Sequence, residues 1–92
     1  MHKVLKVDTG SDAAALDRTG ALLSVNLAAG SAAATVTIFD NALAASGTIV
    51  AIVKATSNNS RAWELPAGGI ALRNGAFVQV TGTGASAFVV VA

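Results

Sequence analysis

The sequence predicts an all-β chain, a small sandwich or barrel, and three observations carry that expectation. Short runs rich in Val, Ile and Thr recur along the whole chain, and clusters of Gly, Asn, Asp and Ser separate them. Within several runs apolar and polar residues alternate at period two, which puts one face of a strand on a core and the other in water. No segment shows the longer period of a stable helix.

Strands are expected near 3–7, 20–28, 33–39, 47–55, 61–65, 69–73, 76–81 and 86–91. The alternation is cleanest in Leu23-Ser24-Val25-Asn26-Leu27, in Thr35-Val36-Thr37-Ile38 and in Val78-Gln79-Val80-Thr81, with a shorter instance at Trp63-Glu64-Leu65. Two runs break the pattern: Ile49–Val53 and Phe88–Ala92 are apolar at every position. Such strands either lie in the middle of a core or are covered on their outer face by another chain.

Turn chemistry divides the runs. Asn74-Gly75 stands between Ile70–Leu72 and Phe77–Val80, and Asn-Gly is the preferred pair for a type I′ turn, so a hairpin is expected there. Pro66–Gly69 and Gly82-Thr83-Gly84 punctuate the strands on either side. Ser11–Arg18 holds several helix formers after a capping Ser11, but it is too short to stand alone. A single turn or an irregular loop is expected, and residues 1–17 read either as a first strand or as an N-terminal arm.

At 92 residues there is room for one domain, spanning 1–92. A chain of this size buries roughly 60–65% of the surface it exposes when unfolded. Hydrophobic residues make up 53% of it, yet aromatics are 4% and charged residues 12%. That charged share is about half the usual one. A surface so poor in charge is expected to be hidden in part against a partner. The six Lys and Arg form no run. Nucleic-acid binding needs a clustered basic face, so none is expected. The apolar runs are far too short to span a bilayer, and Lys3 and Lys6 interrupt the start as they would not in a signal peptide. No membrane association is expected, and the chain reads as one made and kept in the cytoplasm until it is assembled. Asn58-Asn59-Ser60 fits the glycosylation triplet, a chance match in a chain without a secretory leader.

The residues needed for chemistry are scarce. With no cysteine there is no disulfide, thiolate metal site or thiol nucleophile. His2 is the sole histidine, so a Ser-His-Asp arrangement would have to be built around it, and one imidazole without cysteine falls short of a zinc ligand set. The carboxylates are Asp8, Asp12, Asp17, Asp40 and Glu64, and the spacing of the first three does not fit a calcium loop. Gly82-Thr-Gly84-Ala-Ser-Ala87 matches a dinucleotide-binding pattern, but that loop must open a helix, and the residues after Ala87 are strand formers. No enzyme activity, cofactor or metal site is expected. Phe39, Phe77 and Phe88 are candidates for the core. Trp63 reads first as a core residue covering the end of the sandwich, with Glu64 pointing out; the alternative is a contact surface formed with Arg61, since both residue types are enriched where proteins meet.

From Arg18 to Ala92 the chain resembles small bacteriophage virion structural proteins. The likeness is carried by Gly20–Leu23, Ala32–Asp40, Ser46–Val50, Leu65–Ile70, Asn74-Gly75 and Val80–Ala85. It implies an antiparallel β-sandwich, jelly-roll-like, and a capsid decoration or cement protein that binds the outside of the phage head, in the virion, after synthesis in the bacterial host. Its partner would be the major capsid protein, and a homotrimer is the favoured oligomer. On that reading Trp63, Arg61, Ile49, Ile52, Val89 and Val91 are the candidate interface residues. The alternatives are a receptor- or glycan-binding module of a tail or fibre, and a tail or head–tail connector component.

Overall fold

A computed structural model describes residues 3–64 and 69–92 of the chain. It is all-β, with nine strands and no helix among the described residues: β1 (Lys3–Asp8), β2 (Ala13–Leu16), β3 (Gly20–Ala28), β4 (Ala34–Phe39), β5 (Ile49–Ala55), β6 (Ser60–Glu64), β7 (Ile70–Leu72), β8 (Ala76–Thr81) and β9 (Ser86–Val91). They form two packed antiparallel sheets. The first has the order β1-β9-β3-β6, with β7 continuing the β6 side along the start of β3; the second has the order β2-β8-β4-β5. Every connection except β4–β5 and β6–β7 crosses from one sheet to the other. With β6 and β7 counted as one interrupted strand, this is the jelly-roll arrangement of two four-strand sheets.

Period-two alternation builds the core. Val25 and Leu27 of β3, Val36 and Ile38 of β4, and Val78 and Val80 of β8 are buried, while Asn26, Thr37 and Gln79 between them turn outward. The inter-sheet cluster is filled by Leu22, Leu27, Ile38, Leu72, valines and alanines, and Trp63 packs partly against it from the side. Each fully buried Leu or Ile stabilises the fold by roughly 1.5–3 kcal/mol relative to exposure. The two ion pairs among the described residues, Lys6–Asp8 at 3.7 Å and Asp17–Arg18 at 3.8 Å, are exposed and contribute little.

Two expectations are corrected here. Ala13–Leu16 is neither helical nor irregular but an edge strand paired with β8; the strand expected near 3–7 is present as β1, paired with β9, so of the two readings of this region the strand holds for Lys3–Asp8. Alanine repeats carry no period of their own. Burial of Ala15 and Leu16 against the core decides the conformation.

The second correction concerns Asn74-Gly75. It does not close a hairpin, because β7 pairs with β3 in one sheet and β8 with β2 and β4 in the other. Gly75 has φ 136°, but Asn74 is not left-handed, so the type I′ geometry is absent. Asp40, at the end of β4, replaces it. Its carboxylate accepts the backbone N–H of Asn74 at 2.8 Å and of Arg73 at 3.1 Å. A Cβ at Gly75 would collide with the carbonyl oxygen of Leu16. Glycine is required there by close approach as well as by φ.

The loop at Gly82–Gly84 is likewise an inter-sheet crossing that leads into a strand and not into a helix, with Gly82 at φ 112° and Gly84 at φ 71°. A Cβ on Gly82 would lie 2.6 Å from the Ala33 carbonyl oxygen. Thr9 fastens this loop to β1 by donating its hydroxyl to the carbonyl oxygens of Gly82 and, at 3.2 Å, Ala85.

Candidate functional site

The inter-sheet cluster contains no phenylalanine, and this decides where contact surfaces lie. In β8 the phase set by buried Ala76, Val78 and Val80 puts Phe77 on the outer face with Gln79 and Thr81. Phe39 stands opposite Phe77 in the register. It is buried to 9% exposure, as expected of it, yet lies outside the inter-sheet cluster, in phase with Thr35 and Thr37. Phe88 departs from expectation. It lies between buried Ala87 and Val89 and is 41% exposed on the outer face of the first sheet, with Val4 and Val90 in the neighbouring row.

The two all-apolar runs take different places. Strand β9 is central in its sheet, between β1 and β3, and its Val89 and Val91 are fully buried in the core. Neither residue is available to a partner, which corrects their assignment to an interface. Strand β5 is an edge, paired only with β4. Its Ala51 and Val53 face the core, while Ile49 and Ile52 are each half exposed. Ile49 stands beside Phe39 in the register, so the row Ala14–Phe77–Phe39–Ile49 runs across the outer face of the second sheet.

Ile52, Arg61 and Trp63 are brought together. They line a groove of about 250 Å³ with Val53 and Ala62, on the open side of the sandwich where edge strands β5 and β6 run past each other. Arg61 also borders a wider cleft of about 520 Å³, lined by Lys54, Thr56, Asn59 and Ser60 among others. The register explains Arg61 and Trp63: they stand opposite core residues Leu27 and Val25 of β3, so both belong to the face that looks toward the other sheet. At the sheet edge there is no further strand to cover them.

The four aspartates, Asp8, Asp12, Asp17 and Asp40, do not converge. Asp8 accepts a hydrogen bond from Ser86 at 2.6 Å, Asp12 accepts the Val80 N–H at 3.3 Å, Asp17 pairs with Arg18, and Asp40 holds the β7–β8 crossing. The Asn74 N–H is the main cause that keeps the Asp40 carboxyl below the usual carboxylate range, helped by the Arg73 and Gly75 N–H groups and the Arg73 charge, with desolvation opposing. Among the described residues no three of His, Cys, Asp and Glu gather as a metal site would require. His2 lies outside the described residues.

Sequence reasoning missed the half-buried Phe77 on the outer face, the exposed Phe88, and the exposed Val4 and Leu43 with them. For Phe77 the signal was present, because Gln79 and Thr81 set its phase. For Phe88 it was weaker: only Ser86, two residues before it, marks the outward phase, and the residues after it are all apolar. No family model, curated protein or solved structure matches the chain.

Proposed function

We propose that this protein is a non-enzymatic structural module that acts by covering other protein subunits, and that it serves as a capsid decoration or cement protein on a phage head. The observation that carries this reading is the placement of large apolar side chains. A sandwich with a core of valine, leucine and alanine leaves Phe88, Ile49, Ile52 and Val4 between 41% and 61% exposed. Exposed apolar groups of this size on ordered strands mark surfaces that a partner covers. The low charge of the chain supports the same reading, and so does the engagement of Asp8, Asp12 and Asp40 in separate structural hydrogen bonds. A jelly roll is one of the architectures of viral capsid domains, and the resemblance of Arg18–Ala92 to phage virion proteins points the same way. The major capsid protein is the proposed partner and a homotrimer the proposed oligomer, so that each copy touches several subunits and weak contacts add through avidity.

The test is to mix purified protein with capsids that lack it. The expected result is a discrete oligomer in solution, saturable attachment to the capsids, and greater resistance of decorated capsids to heat. A monomer that leaves such capsids bare overturns the proposal.

A further inference from the structure

We infer that the open side of the sandwich, between β5 and β6, is a docking groove for an extended acidic segment of a partner protein. The inference rests on the proposal that the molecule works through contact with other subunits, and it specifies one such contact.

Three features converge on this side. The first is hydrogen bonding: β5 pairs only with β4 and β6 only with β3, so each leaves one backbone edge without a strand. An extended peptide added to β5 continues the second sheet and lies over β6. Strand β5 gives little protection against such pairing, since Lys54 is its only charge and it has no proline.

The second feature is the division of the groove. One end is apolar, built from Trp63, Ile52 and Val53, and the other is cationic, with Lys54 and Arg61 beside the hydroxyls of Thr56 and Ser60. Arg61 and Trp63 are two residues apart on one strand, so their side chains leave the same face about 7 Å apart. A partner strand matches them with an apolar residue and, two positions on, a carboxylate.

The third is charge. No ion pair among the described residues involves Lys54 or Arg61, and Asp8, Asp12, Asp17 and Asp40 are all engaged elsewhere. Two cations at one cleft repel each other until an anion joins them. An incoming carboxylate between them gains charge-assisted hydrogen bonds, and Arg61 offers the planar fork that carboxylates fit.

Trp63 is the only tryptophan, so its fluorescence reports on the groove directly. The probe is the peptide acetyl-Thr-Val-Thr-Glu-Thr-amide, compared with the same peptide carrying Gln for Glu. The Glu peptide is expected to shift Trp63 emission saturably, about tenfold more tightly than the Gln peptide, with the difference shrinking in high salt. Lys54→Gln and Arg61→Gln together are expected to remove that preference while leaving the melting temperature unchanged, because both side chains are exposed. Equal binding of the two peptides, or no shift at millimolar concentration, overturns the inference. Capsid attachment separates this from the wider proposal. If wild type attaches and the double variant attaches equally well, the groove is not the contact and the decoration reading stands. If wild type does not attach at all, that reading fails while the peptide titration still judges the groove.

Discussion

Asp40 shows how one side chain sets a chain crossing. It spans 34 residues of sequence to take the Asn74 N–H, and in doing so overrides the turn that Asn-Gly prefers when left to itself. Because the folded carboxyl titrates below its ordinary value, the stabilisation it gives is present above the unfolded carboxylate value and is lost as pH falls through the folded one. Asp40→Asn is therefore expected to lower the melting temperature at neutral pH, and the gap from wild type is expected to close in strong acid. Thermal melts of both proteins across the acid range check this; a gap that is constant with pH would show that the charge is irrelevant. Gly75→Ala tests the same crossing from the other side. The left-handed backbone and the clash with Leu16 predict a loss of roughly 1–3 kcal/mol, measured by urea denaturation. Asp40 and Gly75 are invisible to local sequence reading for one reason: each is dictated by a residue far along the chain.

Among the elements, β5 and β9 make the clearest pair. Both are continuous apolar runs, and sequence alone treats them alike. What separates them is position in the sheet, an edge for β5 and the centre for β9, and that is a property of topology that no window of residues contains. Val89→Ala is expected to cost about 2 kcal/mol of monomer stability through the cavity it leaves. Ile52→Lys, at a half-exposed edge, is expected to change monomer stability by less than about 0.5 kcal/mol while weakening association, as sedimentation would record. The reverse outcome would mean that β5 serves the core rather than a partner. Strands β3, β4 and β8 were legible because their polar residues fix the phase of alternation. Strand β2 was not, because Ala-Ala-Ala-Leu has no phase to read. Of the contact residues expected from sequence, Ile49, Ile52, Arg61 and Trp63 lie at the surface or its grooves. Val89 and Val91 do not, and the face bearing Phe88 came to light only once the neighbours of β9 were known.

For the whole molecule, apolar side chains on both outer faces give it more than one surface to cover, the first sheet with Val4 and Phe88 and the second with Phe77 and Ile49. Under the proposed function, one face serves self-association and the other the capsid. Phe88→Ser and Phe77→Ser are expected to separate these roles, one abolishing the oligomer in light scattering and the other abolishing capsid attachment in co-sedimentation. If both variants assemble and attach as wild type does, neither face is an interface.

The pairing of β1 with β9 also governs how the chain comes to be folded. Strand β9 stands between β1 and β3, so the first sheet cannot close until residues 86–91 have left the ribosome. A nascent chain arrested before Ser86 holds β1 with nothing to zip against and β3 with one flank bare. Folding must then wait for residues 86–91 and proceed through distant pairings, which makes it slow. During that interval the valine-rich segments are open to one another and to neighbouring chains, and chaperones are the natural guard against their clumping.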